Sequence, residues 1–126
     1  MLAQLLEYND VGLLLLRIAI AIVFLYHGLP KLSKSKAMSQ MMGMPAGMIF
    51  MFGIFEVLAS LGIALGIYTQ LSALVLAIVM VGAIGMKMMK WNVPFAAMDK
   101  TGWEFDFILL FASISVLLGG GGSLGI

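Results

Sequence analysis

The sequence predicts an all-α membrane protein, a four-transmembrane-helix bundle. Three observations carry that reading. The chain of 126 residues is 63% hydrophobic and 10% charged, with a mean hydropathy of +1.13. Seven Lys and Arg with six Asp and Glu cannot cover a soluble globule of this size, so lipid is the natural solvent. Apolar runs of spanning length recur along the chain, and the lysines gather in two places between them.

A spanning helix needs roughly 20 mostly apolar residues, because the rise is ~1.5 Å per residue and the hydrocarbon ~30 Å thick. Four segments qualify: about 11–29, 46–67, 71–89 and 103–118. Residues 1–10 hold Glu7 and Asp10 but no Lys or Arg, and the run that follows is too long for a signal core. It is therefore read as the first span and not as a signal peptide. Pro30 and the lysine-rich stretch 31–36 are expected to end it. Gly43 and Pro45 make a turn before the second span. Tyr68, Thr69 and Gln70 join the second and third so tightly that these two must be antiparallel neighbours. Pro94 closes the third, 95–102 reads as interfacial, and the glycine run 119–122 ends the fourth. Gly62 and Gly66, and Ala73 and Ala77, are small residues four apart that favour close helix contact. A homo-oligomer through the glycine pair is conceivable on that spacing.

The lysines orient the bundle. Lys31, Lys34 and Lys36 follow the first span; Lys87, Lys90 and Lys100 surround the loop after the third. The positive-inside rule then places loops 30–45 and 90–102 in the cytoplasm and both termini outside, in a multi-pass protein of the plasma membrane. Trp91 and Trp103 fit an aromatic belt on the lysine side.

Ionisable residues inside the spans are the functional candidates. Each costs roughly 2.5–3.5 kcal/mol at mid-membrane on insertion scales, so it faces the interior and finds a partner. Arg17 and Glu56 are expected to form a buried ion pair, with Ser60 one turn beyond Glu56. That pair either locks two helices together or leaves Glu56 to titrate or bind a polar ligand group. A second polar layer nearer the lysine side comprises His27, Lys31 and Glu104. Glu104 is taken as the inward acid of the fourth helix, on a stripe with Phe111 and Ser115, and Asp106 as facing the headgroups. His27 is either an ordinary hydrogen-bonding residue at a helix end or a donor to a quinone carbonyl and proton carrier.

Other chemistries find little support. There are no cysteines and one histidine, which leaves no thiol relay and no metal-ligand spacing. No haem, flavin or metal site is evident, and the basic loops are too scattered for nucleic acid. Met38, Met41, Met42, Met44 and Met48 raise the thought of Cu(I), but methionine is also an ordinary flexible packing residue.

The arrangement resembles the DoxX family of small four-helix membrane proteins. The matching residues are Arg17, then His27-Gly28-Leu29-Pro30-Lys31, Gly53-Ile54-Phe55-Glu56, Gly62, and the exit Leu65-Gly66-Ile67-Tyr68-Thr69. Gly102-Trp103-Glu104 and the ending Gly119-Gly120-Gly121-Gly122-Ser123-Leu124 complete the series. The likeness spans nearly the whole chain, as a single domain over 1–126. The family often carries an Asp after the Ser-Leu pair, where this chain has Gly125 and Ile126. Cysteine chemistry of wider relatives does not carry over to a chain without cysteine.

The resemblance implies redox association. Family members look like membrane subunits of thiosulfate:quinone oxidoreductase or of terminal quinol oxidase systems. Others resemble scaffolds that tie a sulfurtransferase and a superoxide dismutase to the membrane. Three readings follow. In the first, the chain is a quinone-linked subunit in which His27, Lys31 and Glu104 hold a quinone or an anion, with Arg17 and Lys31 drawing in thiosulfate. In the second, it is a non-catalytic scaffold for a redox complex. In the third, it is a small carrier or channel built on Arg17 and Glu56. The first two imply a protein partner besides the lipid bilayer.

Overall fold

A computed structural model describes residues 2–96 and 98–124. Met1, Ala97, Gly125 and Ile126 lie outside the described residues; the last two stand where the resemblance expects an acid. A 3₁₀ turn, Ala3–Tyr8, leads into α1, Asn9–Ser33. Then come a short α2, Ser35–Met42, and the longer α3, Ala46–Leu65, and α4, Thr69–Gly85. A π-helical turn, Met86–Lys90, extends α4, and α5 covers Trp103–Gly119. No strand occurs among the described residues.

Polarity is arranged inside out. The buried positions of α1 are Arg17, Ile20, Ala21, Phe24 and Gly28, at helical three- and four-residue steps. Those of α3 include Gly53, Glu56, Ala59 and Ser60, those of α4 Ser72, Ala73 and Ala77, and those of α5 Asp106 and Ser113. Meanwhile Leu15, Ile22, Phe50, Leu58 and Ile78 are exposed. Charged and small residues share the interior with a core of Phe24, Ile63 and Leu76, while large apolar side chains also cover the outside, the pattern of helices solvated by lipid. Three helical stretches are long and apolar enough to cross a membrane: Ala3–Ser33, Ala46–Leu65 and Thr69–Lys90. The fourth expected span, α5, has 17 residues, about 25 Å of helix, and so falls short of the ~30 Å hydrocarbon.

α1 packs on α3, α3 on α4 and α4 on α5, with a thinner seam between α5 and α1. Gly53 permits the first contact, since a Cβ there would lie 2.8 Å from Lys31 Cβ and 3.1 Å from Gly28 O. The tight link between α3 and α4 is as the sequence predicts. Gly66 (φ 78°) and Tyr68 (φ 48°) both adopt left-handed conformations within it. Gly66 is therefore a helix cap, and Gly62 faces Ser72 within the chain. The pair is not an outward glycine seam. Ala73 and Ala77 are both buried, as close packing requires.

Pro30 does not end α1. The helix runs on to Ser33, and the Lys34 amide donates to Pro30 O at 2.7 Å. Proline removes only its own donor and disturbs the turn before it; its carbonyl still sustains the next. The lysine-rich stretch straddles the break at Lys34, and α2 begins at Ser35 and stops at Gly43 in the left-handed region (φ 69°). The two lysine-bearing loops meet at one end of the bundle, where Trp91 Nε1 donates to Met42 O (3.2 Å) and Lys90 Nζ to Gly43 O (2.8 Å).

Arg17 holds the opposite end together. It does not pair with Glu56. Its Nε donates to Ile63 O at 2.9 Å and one terminal nitrogen to Ala64 O at 3.3 Å. These are among the last four carbonyls of α3, which have no partner within their own helix and no water to turn to in hydrocarbon. The positive charge also suits the negative end of the helix dipole. Its other terminal nitrogen donates to Gly121 O at 2.8 Å and to Leu124 O. The expected pair fails for a reason of register. α1 and α3 are antiparallel, and Arg17 lies level with Ile63, seven residues beyond Glu56. That is about 10 Å along the axis, more than the side chain spans.

The glycine run is shaped by this contact. A Cβ at Gly121 would sit 2.6 Å from Thr69 Cγ2 and 2.9 Å from Arg17 Cδ. Gly122 takes φ 83°, which lets Ser123 donate from its amide (3.2 Å) and its hydroxyl (2.6 Å) to Asp10. Replacing Arg17 with Ala is expected to cost about 3 kcal/mol or more, because four carbonyls lose a charged donor. The check is an unfolding titration in mixed micelles, with hydrogen exchange at 119–124 rising well above wild type. Gly53→Ala is expected to destabilise in the same assay, whereas Gly82→Ala, which meets nothing within 4 Å, leaves stability unchanged or slightly raised.

Candidate functional site

A cavity of about 780 Å³ opens at the lysine end of the bundle, lined from all five helices and the π-turn. Its walls are mostly apolar, with aromatic and thioether side chains among them such as Phe24, Phe52, Phe105, Trp91, Met42 and Met48. Five ionisable residues interrupt them: His27, Lys31, Glu56, Lys87 and Asp106.

Lys31 and Glu56 form an ion pair between α1 and α3. Lys31 comes from the turn of α1 that Pro30 fails to break. Glu56 comes from the α3 stripe, and its side chain is 1% exposed. Gly28 makes room for it, since a Cβ there would lie 3.1 Å from Glu56 Cβ and 3.3 Å from Oε2. Oε1 takes the lysine, while Oε2 is buried and without a hydrogen-bond partner among the described residues. Ser60 turns back to donate to Glu56 O at 2.5 Å, which keeps its hydroxyl satisfied within α3.

Lys87 and Asp106 make a second pair, between the π-turn and α5, with Nζ 2.6 Å from Oδ2. Lys87 also stands 6.0 Å from the centre of the Phe105 ring, at the edge of cation–π range. π-turns inside α-helices often mark functional sites, and here the turn carries the cation that meets the cavity. His27 reaches the same ring from α1, with 5.3 Å between ring centres, and so helps close the α1–α5 seam. An ammonium has three donors; Lys31 spends one on Glu56 Oε1, and Lys87 stands beside Asp106 Oδ2 as an ion pair without a hydrogen bond to it, so both lysines retain donors.

Of the residues named from sequence, His27 and Lys31 line the cavity. Glu56 does too, with Lys31 and not Arg17 as its partner. Arg17 lies at the far end. Glu104 is exposed and Asp106 buried, the reverse of the expected phase of α5. The inward stripe is Asp106, Leu109, Ser113 and Val116, and residues two apart point about 200° from each other. Phe111 and Ser115, expected inside, are exposed accordingly. Sequence reasoning also passed over Lys87, treating it as a loop lysine. Its signal was position: it lies among Gly82, Ala83, Ile84, Gly85, Met86, Met88 and Met89, inside an apolar run. No cluster of three or more His, Cys, Asp or Glu that could hold a metal occurs among the described residues.

The model of the DoxX family matches residues 12–91, which takes in most of α1, all of α2 to α4, the π-turn and the first four of the ionisable cavity residues. The chain is also 30% identical over 114 residues to CatD of Bacillus subtilis (strain 168), a protein provisionally named an oxidoreductase. That alignment covers 88% of this chain and 81% of the relative. No solved structure matches.

Removing Lys31 alone leaves a buried carboxylate uncompensated. Lys31→Met is expected to cost about 3–5 kcal/mol, and Lys31→Met with Glu56→Met together to recover most of it. Equal losses for the single and the double variant in a micellar unfolding titration would contradict the pairing.

Proposed function

The chain belongs to the DoxX family, and on that premise we propose that it is an integral membrane subunit of quinone-linked redox whose lysine-end cavity holds a quinone ring. The observation that carries the reading is the make-up of the cavity: an apolar, aromatic wall around two lysines that keep free donors. Ligand sites of this kind combine apolar walls with a few placed polar groups. The oxidoreductase class in the name of the Bacillus relative supports it.

A bound quinone would supply two-electron, two-proton chemistry. The chain's own residues would do the rest. Lys31 and Lys87 donate to the ring oxygens and orient them. Glu56 and Asp106 hold those ammoniums in place and offset their charge. Phe105, between His27 and Lys87, gives the ring a face to stack against. The methionines let the wall adapt to ring substituents. His27 is the residue able to pass protons toward the bundle end. Electrons come from a protein partner or directly from a small sulfur oxyanion such as thiosulfate, drawn in by the lysines.

In this reading α5 is the fourth span, made long enough by local thinning of the bilayer. The six lysines and the two tryptophans at one end support cytoplasmic loops 30–45 and 90–102, with both termini outside. The chain sits in the plasma membrane as one domain.

The test is fluorescence. Trp91 lines the cavity and Trp103 is the other tryptophan, so duroquinone is expected to quench saturably the emission of the Trp103→Phe chain, which reports Trp91 alone. Lys87→Met should weaken binding about tenfold, the worth of one hydrogen bond from a charged donor. Glu104→Gln should leave it unchanged. Quenching of Trp91 that never saturates, or that Lys87→Met leaves unchanged, would remove the quinone from this cavity.

A further inference from the structure

We infer that the ligand of the cavity is membrane-borne and carries a long apolar tail. It enters from the hydrocarbon between α3 and α4, and its tail lies in a groove that runs on from the cavity between the same two helices. The inference rests on the quinone reading above and adds the route of entry, the tail and the residues that hold it.

α3 and α4 touch at one end and part at the other. Near their tight turn, a Cβ at Gly62 would stand 2.3 Å from the Ser72 hydroxyl. Toward the lysine end, a Cβ at Gly82 would meet nothing within 4 Å, although Gly82 lines the cavity. α3 packs chiefly on α1 and α4 chiefly on α5, so two helix pairs diverge from the turn. The gap between them opens on the flank of the bundle. Phe52 and Phe55 of α3 and Ile78 and Gly82 of α4 line the cavity and are also exposed. Elsewhere the cavity is bridged: His27 meets Phe105 across the α1–α5 seam, and Trp91 and Lys90 tie the π-turn to the end of α2.

A second groove, of about 340 Å³, begins where the cavity ends. Phe55 and Val75 line both spaces. From there the groove follows Leu58, Leu61 and Leu65 of α3 and Leu71 of α4 toward the turn. Phe55 to Leu65 covers about 15 Å of helix axis, half the ~30 Å hydrocarbon. Its walls carry no charged side chain among the described residues, whereas Lys31, Glu56, Lys87 and Asp106 all line the cavity. Cavity and groove together form one space with a polar head and an apolar stem. The matching ligand has the same shape: a ring whose oxygens need donors, on a chain that hydrocarbon dissolves. A molecule of that kind lives in the bilayer, and the mouth between α3 and α4 faces it there.

The experiment compares the tailless ubiquinone ring with its decyl derivative, decylubiquinone, on the full-length Trp103→Phe chain in micelles. Trp91 emission is the readout, and each affinity is corrected for the measured partition of the probe into the micelle. Decylubiquinone is expected to bind about fivefold or more tightly, a modest gain because moving a tail from micelle to groove adds packing and no hydrophobic drive. Val75→Phe fills the junction of cavity and groove and is expected to bring the ratio close to one. Gly82→Phe narrows the mouth and is expected to slow association of decylubiquinone in stopped flow. Gly47→Phe, at an exposed glycine with open space about it, leaves the rate unchanged. Where a variant does not fold, a diazirine at the end of the decyl tail decides: it is expected to label residues 58–71. Equal corrected affinities, a ratio that survives Val75→Phe, a rate untouched by Gly82→Phe, or a label on α1 or α5 overturns the inference and leaves the quinone reading standing. Labelling that excess phospholipid removes as well as excess decylubiquinone makes the groove a seat for any acyl chain and overturns it likewise. Saturable quenching by neither probe overturns both.

Discussion

A charge inside hydrocarbon has nowhere to go but toward another polar group, and the whole bundle is organised around that constraint. Arg17, Glu56 and Asp106 are all buried, and each is met by protein atoms, since lipid offers no substitute for water. Two of the answers are ion pairs between neighbouring helices. The third is a guanidinium spread over four backbone carbonyls. Glycines make these solutions sterically possible, because Gly28 and Gly53 bring α1 against α3 where Glu56 and Lys31 meet.

The same constraint divides the molecule into two ends of different character. At one end Arg17 caps α3 and gathers the glycine-rich C-terminal segment, and Asp10 secures that segment through Ser123. A planar fork with five donors is suited to this task in a way an ammonium is not. At the other end the helices part around a cavity, and the charges are lysine–carboxylate pairs with donors to spare. The first end is closed upon itself. The second surrounds a cavity, and α2 and the π-turn, joined through Trp91 and Lys90, form its rim.

Family membership and the cavity speak to different questions. The DoxX match and the Bacillus relative identify the lineage and point toward redox. A fold of this kind does not say by itself what is bound. What the cavity can hold depends on its own side chains. With Lys31 and not Arg17 as its partner, Glu56 stands in the wall of the cavity and not in a mid-bundle lock.

Composition and hydropathy were enough to determine an all-helical chain made for lipid, the approximate limits of its long helices and the tight turn at Gly66–Tyr68. They also singled out Arg17 and Glu56 as buried, and His27 and Lys31 as neighbours at one end, because these inferences need only helix period and the cost of charge in hydrocarbon. Who pairs with whom was decided by tertiary structure. The vertical register of α1 against α3 put Lys31, not Arg17, beside Glu56. The rotation of α5 chose Asp106 over Glu104. The π-turn carried Lys87 out of an apparent loop and into the cavity. Each of these depends on a relative offset of two rigid helices, amounting to a few residues or a fraction of a turn, and such an offset is set by side chains from different segments packing together, which no single stretch of sequence contains.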